Sequence, residues 1–245
     1  MNFAFVFPGQ GSQSVGMMAA YGESTVIRQA FAEASEALGE DLWQMVADGP
    51  AEVLAQTVNT QPLMLTAGVA IYREWIARGG ALPSLVAGHS LGEYSALVVA
   101  GALDFQEAVK LVRLRAQAMQ EAVPQGEGAM AALLGLDEAA AVDACAEAAQ
   151  GEVVSAANLN SPGQIVIAGA RAAVERAMAA AKARGAKRAV LLPVSAPFHC
   201  ALMKPAAERL QQRLADIEVR VPAIPVLNNV DVAVETDPVR IKDAL

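Results

Sequence analysis

The 245-residue sequence has few of the residues that staple a protein together or carry metals. It holds two cysteines, Cys145 and Cys200, and two histidines, His89 and His199. Two isolated cysteines give no disulfide framework and no metal-ligand spacing. Both are read as small buried hydrophobes, and no metal is expected. Positive charge is also scarce: 18 Lys+Arg against 26 Asp+Glu leave a net charge of −8. Neither nucleic acid nor an anionic membrane is therefore an expected partner. No run approaches the ~18 apolar residues that a membrane span needs. The start, Met1-Asn2-Phe3-Ala4-Phe5-Val6-Phe7-Pro8, lacks the basic stretch and long apolar core of a signal peptide and reads as a strand. A soluble cytoplasmic monomer is expected. A phosphate loop is missing too. Gly9-Gln10-Gly11-Ser12-Gln13 follows the first strand, but it has neither the Lys-Ser/Thr of a nucleotide loop nor G-x-G-x-x-G spacing. No cofactor is expected.

What is abundant is apolar side chain, 54% of residues, much of it alanine, which suits closely packed helices. Residues 25–38 read as an amphipathic helix ended by Gly39. Residues 61–78 read as another, with Thr60 as N-cap, Pro62 in the first turn and Gly79-Gly80 at the end. Trp43 and Trp75 sit among helical apolar positions and are read as packing residues. Asp104-Phe105-Gln106-Glu107 opens a helix with a capping box, and Pro124 stops it. From Gly128 the order changes. Strands are expected at 129–136, 153–158, 164–168 and 189–193, and helices at 137–150 and 172–184. Leu159-Asn160-Ser161-Pro162-Gly163 is read as a turn. The order β-α-β-β-α-β is that of a ferredoxin-like split unit, so residues 127–193 are expected to form a small inserted subdomain. Residues 1–126 and 194–245 then make up the large domain. In it, a helix is expected over 201–215, a short strand over 225–228 and a helix opened by Asp237-Pro238.

The chemistry is concentrated at Val86-Ala87-Gly88-His89-Ser90-Leu91-Gly92-Glu93. An apolar strand runs into G-x-S-x-G and then into a helix. That context lifts a serine hydroxyl off the end of a buried strand and sets helix N–H groups beside it. A serine needs a base within hydrogen-bond reach. His89 sits inside the turn, where adjacent side chains diverge, so His199 is the natural candidate. The N–H of Leu91, next after the serine, is the usual first oxyanion donor, and the turn at Gln10 suits a second. Arg113 and Arg115 lie two apart on one helix and cannot share a face. If Arg115 points at the serine, its planar guanidinium would hold a carboxylate on the acyl group. A simple serine hydrolase remains open at this point, as does a chain that binds without turning over.

These segments, together with Phe5-Val6-Phe7-Pro8-Gly9-Gln10-Gly11-Ser12-Gln13, Asn158-Leu159-Asn160-Ser161-Pro162-Gly163-Gln164 and Pro197-Phe198-His199, closely resemble the malonyl-CoA:acyl-carrier-protein transacylases of type II fatty acid synthesis. The resemblance runs over the whole chain. It implies an α/β-hydrolase-like core with a parallel sheet and an inserted ferredoxin-like subdomain, with the active site in the gorge between them. It implies two partners, malonyl-CoA and acyl carrier protein, and a ping-pong transfer through a malonyl-serine. Ser90 would be the nucleophile, His199 the base, and Gln10 and Leu91 the oxyanion donors. Arg115 would hold the malonyl carboxylate, with Phe198, His89 and Asn160 also binding substrate. Phe198 would crowd an α-methyl group, a discrimination of roughly 1–3 kcal/mol. Lys182, Arg184, Lys187 and Arg188 would offer a basic patch to the acidic carrier protein. The family's histidine-orienting glutamine follows a helix start like Asp237-Pro238, so the resemblance implies a sequence that stops at Leu245 just short of it.

Overall fold

The computed structural model describes residues 2–245. Along the chain, β1 (Ala4–Phe7) leads to α1 (Thr25–Leu38), α2 (Leu42–Asp48), α3 (Ala51–Leu54) and α4 (Thr57–Ala77). Then come β2 (Leu85–Gly88), α5 (Leu91–Val99) and α6 (Phe105–Glu121). β3 (Gly128–Leu134), α7 (Glu138–Ala149), β4 (Val154–Ser161), β5 (Gln164–Ala170), α8 (Arg171–Ala183) and β6 (Arg188–Leu191) follow. The chain closes with α9 (Lys204–Ala215), β7 (Val226–Leu227) and α10 (Pro238–Ala244). It divides into two compact units, Met1–Ala116 with Leu210–Leu245, and Gln117–Arg209.

The first unit is built on a parallel sheet ordered β1-β2-β7, with β2 in the middle. Phe7 pairs with Gly88, and Ala87 with Leu227, so the three strands end within one residue of the same level. Ligand chemistry in such a sheet belongs at the carboxyl ends of the strands. α5 packs on all three strands, and α4 packs on α5 and α1. Their shared core includes Phe7, Phe31, Leu63, Leu65, Val86 and Leu97. The helices start where the sequence offers caps. Ser24 Oγ accepts from Ile27 N at 3.3 Å, Asp104 Oδ1 from Glu107 N at 3.1 Å, and Asp237 Oδ1 from Val239 N at 2.9 Å. α4 departs from expectation. It begins at Thr57, not after Thr60, and Thr60 is fully buried inside its first turns, donating to the carbonyls of Leu54 and Gln56. Pro62, expected in the first turn, is instead the sixth residue of α4 and lies inside the helix, past the turn where a missing N–H goes unnoticed. Trp43 packs on Phe31 with ring centroids 5.2 Å apart, whereas Trp75 is 41% exposed and meets Phe3 and Phe5 edge-on.

The second unit holds a four-stranded antiparallel sheet ordered β4-β5-β3-β6, with α7 and α8 packed on it. Asp137 caps α7 through Ala140 N at 2.8 Å. Alanines on both helices pack under Leu133, Ile165 and Ile167. The stretch 159–161 is not turn. β4 runs to Ser161 and bulges at Asn160, with Leu159 opposite Ile165 and Ser161 opposite Gln164. Only Pro162 and Gly163 are left to reverse the chain. The unit extends beyond residues 127–193 on both sides. Ala118, Met119, Val123, Phe198, Met203 and Ala206 form one apolar cluster with Met130, Val166 and Ala168 of the sheet.

Candidate active site

Ser90 stands between the last residue pair of β2 and the first turn of α5, with φ 50° and ψ −104°. A side-chain-bearing residue there costs about 1–3 kcal/mol and persists only if its surroundings dictate it. Two glycines make the geometry feasible. A Cβ on Gly88 would lie 1.9 Å from the Gly92 carbonyl carbon, and one on Gly92 would lie 2.2 Å from the Phe7 carbonyl oxygen. The helix therefore starts in direct contact with the strand ends. Its first turn presents N–H groups that have no intrahelical carbonyl, and that of Leu91 is next to the serine. Gly9 brings the loop after β1 against the same turn, since a Cβ there would be 2.6 Å from the His89 carbonyl oxygen.

Arg115 reaches this serine from α6. Its Nη2 donates to Ser90 Oγ at 3.1 Å and its Nη1 to Gln61 Oε1 at 2.8 Å. Gln61 Nε2 donates to Thr57 Oγ1 at 3.0 Å, and Thr57 Oγ1 donates to Gln10 Oε1 at 2.8 Å. One polar chain thus joins Ser90, Arg115, Gln61, Thr57 and Gln10. Arg115 is only 8% exposed, and its guanidinium carbon lies 5.4 Å from the Tyr94 ring centroid. None of the ion pairs among the described residues involves it. Its neighbour Arg113 points elsewhere and is paired with both oxygens of Glu40, at 2.6 and 2.8 Å, as the two-residue helical offset requires. A buried cation supported by neutral groups is unusual and is suited to a ligand carboxylate.

Glu93, on the first turns of α5, is 5% exposed. Burial pushes its carboxyl above the usual range, against the pull of Asn229 and the Arg115 charge. Asn229 donates to it and also bonds the elbow backbone at Gly88 and Ser90. Gln61, Thr57, Glu93 and Asn229 were not picked out by sequence. The polar cluster Thr57, Asn59, Thr60 and Gln61 at the head of an apolar helix was the available signal for two of them.

The second unit carries the other expected residues. His199 is exposed and has φ 61°, on the loop leading to α9. Phe198 before it is 8% exposed and belongs to that unit's apolar cluster. Asn160 is exposed at the β4 bulge. Cys200 follows the histidine, but burial raises its thiol, and burial pushes Cys145 up to about 11, so neither is a ready nucleophile. In the basic cluster, Lys182 closes α8 and Arg188 opens β6, while Arg184 pairs with Glu147 at 2.5 Å. Among the described residues, no helix is long and apolar enough to cross a membrane, and no His/Cys/Asp/Glu group could hold a metal.

Residues 4–240 match the acyl transferase domain family. The chain is 61% identical over 244 residues to the malonyl CoA-acyl carrier protein transacylase of Escherichia coli (strain K12), covering 99% of this chain and 79% of that protein. It is similar to the 1.7 Å crystal structure of an acyl carrier protein S-malonyltransferase from Vibrio cholerae, with a TM-score of 0.97 and 62% identity over 100% of this chain and 80% of that one. It is also similar to a malonyl-transacylase solved in complex with its type II PKS acyl-carrier protein. There the TM-score is 0.98 and the identity 57%, over 100% of this chain and 79% of that one.

Proposed function

Because the chain belongs to the malonyl CoA-acyl carrier protein transacylase family of acyl transferase domains, we propose that it moves a malonyl group from malonyl-CoA to the phosphopantetheine thiol of an acyl carrier protein, through a malonyl ester on Ser90. The observation that carries this reading is Arg115, buried, held by neutral partners and 3.1 Å from Ser90 Oγ. A malonyl unit has a carboxylate two carbons from the carbonyl that is attacked. Arg115 can bind that carboxylate with its planar fork while the thioester carbonyl lies at the serine.

In the first step Ser90 Oγ attacks the thioester carbon and His199 takes the hydroxyl proton. The oxyanion is met by the backbone N–H groups of Leu91 and Gln10. The C–S bond then breaks, and the proton passes to the departing CoA thiolate. In the second step the carrier-protein thiol gives its proton to His199, its sulfur attacks the malonyl-serine ester, and the C–O bond breaks with the proton returning to Ser90. His89, Asn160 and Phe198 are assigned to substrate contacts, Phe198 against an α-methyl group. The basic cluster of Lys182, Arg184, Lys187 and Arg188 is assigned to the carrier protein.

The same reading extends to the architecture. The parallel sheet with its serine elbow fits an α/β-hydrolase-like domain within the unit 1–116 and 210–245. The strand order β4-β5-β3-β6 with two helices fits a ferredoxin-like subdomain at 127–193. We assign the protein to the cytoplasm as a monomer that binds neither nucleic acid nor membrane. The test is incubation with malonyl-CoA and phosphopantetheinylated acyl carrier protein. Malonyl-carrier protein is expected to appear in step with free CoA. Release of free malonate, with the carrier protein unmodified, would make this a hydrolase and overturn the reading.

A further inference from the structure

The serine turn is held from outside its own helix by a side chain that takes no part in the steps above. Asn229 lies two residues beyond β7, and the parallel register that pairs Val86 with Val226 and Ala87 with Leu227 carries it level with His89. Its side-chain amide spans the turn. Oδ1 accepts from the Ser90 N–H at 2.9 Å, and Nδ2 donates to the Gly88 carbonyl at 2.7 Å. Nδ2 also donates to Glu93 Oε2, and the Asn229 backbone N–H donates to the same oxygen at 3.0 Å. These partners dictate which end of the amide is which. Only an acceptor can face the Ser90 N–H, and only a donor can face a carbonyl and a carboxylate.

We infer that Asn229, oriented by the buried Glu93, is a positioning residue that fixes Ser90 for attack; the inference rests on Ser90 being the acylated residue. Two observations meet in it. The serine backbone is in a sparsely populated conformation that needs an external brace, and Asn229 bonds the backbone on both sides of His89, across the strained residue's own N–H. With the Ser90 N–H occupied by Asn229, the Leu91 N–H is the next elbow donor in line for an oxyanion. The brace also ties the nucleophile to the end of β7, so the third strand fixes the reaction centre without contributing a reacting atom.

The decisive experiment is single-turnover acylation by saturating malonyl-CoA, followed by intact mass. Asn229→Asp keeps the side-chain shape but turns the donor end into an oxygen facing the Gly88 carbonyl and Glu93. Asn229→Ala removes the brace without adding repulsion. Each is expected to lower the acylation rate constant by roughly 10²-fold, the cost of a nucleophile displaced by about an ångström. The fraction finally labelled and the half-saturating malonyl-CoA concentration are expected to stay as in wild type. A merely structural role predicts the reverse: a smaller labelled fraction that reacts at the wild-type rate constant. Asn228→Ala is the control. That side chain bonds only within its own loop, to Asp231, and the variant is expected to keep the wild-type rate constant. Wild-type rate constants in both Asn229 variants would overturn the inference. Labelling of Ser90→Ala at another residue would instead overturn the assignment of the nucleophile.

Discussion

Removing the Arg115 charge while keeping its unbranched apolar stem tests what the pocket recognises. Arg115→Met retains the apolar stem beside Tyr94 but removes the guanidinium N–H groups that donate to Gln61 Oε1 and Ser90 Oγ. A hydrogen bond to a charged group contributes about 1.5–3 kcal/mol, so a two-bond clamp on a malonyl carboxylate is worth about 3–6 kcal/mol. That corresponds to about 10²- to 10⁴-fold in rate or affinity. The structure points to the lower end. Arg115 Nη2 already donates to Ser90 Oγ at 3.1 Å, and that bond must be exchanged when the ester forms, so the net gain is smaller than two new bonds. The expected result is a roughly 10²-fold fall in the preference for malonyl-CoA over acetyl-CoA. Arg115→Lys falls in between, because a point charge cannot serve Gln61 and a carboxylate in one plane. The assay is competition between the two thioesters at equal concentration, with the adduct on the intact protein identified by mass. An unchanged malonyl-to-acetyl ratio in Arg115→Met would refute the reasoning.

Gly92→Ala sets a methyl group 2.2 Å from the Phe7 carbonyl oxygen and is expected to cost about 3 kcal/mol or more by forcing α5 off the strand ends. A urea titration checks this, and a loss below about 1 kcal/mol would contradict the packing described. For Glu93 the sign follows from its raised carboxyl: the folded state binds the proton more tightly than the unfolded chain, so the ionised group subtracts stability at neutral pH. Wild type is therefore expected to gain on Glu93→Gln as pH falls through the raised folded value, and to stop gaining in the ordinary carboxylate range. Urea midpoints for both proteins between about pH 7 and about pH 4 decide it, and parallel curves would count against a buried, ionised Glu93. Iodoacetamide at neutral pH is expected to label Cys145 slowly in the native protein and completely in urea, since burial pushes its thiol up to about 11; fast native labelling would contradict that burial.

Much of the fold was legible because it is locally coded. Asp104 and Asp237 each announced a helix start, and each accepts a backbone N–H of the first turn. The Arg113/Arg115 divergence also followed from helical spacing alone. Two errors have physical causes. The Asn-Ser-Pro-Gly composition hid the end of β4, because pairing with β5 overrides turn propensity and absorbs Asn160 as a bulge. Thr60 looked like a cap, yet its hydroxyl donates to carbonyls one turn back and lies inside α4. The short helices α2 and α3 had no amphipathic period long enough to read. In the site, the serine turn was legible from strand, glycines and helix in one run of sequence. Gln61 and Asn229 were not. They reach the serine only through the packing of α4 and the register of β7, which no local pattern encodes.

The central claim is that Ser90 carries the malonyl group between two thiols. Its most direct test is peptide mapping of the protein after brief exposure to malonyl-CoA, before and after addition of phosphopantetheinylated acyl carrier protein. A malonyl ester on Ser90 that the carrier protein discharges, with none in Ser90→Ala, is the predicted result. A malonyl group on any other residue, or a Ser90 ester that water removes while the carrier protein stays unloaded, would contradict the account.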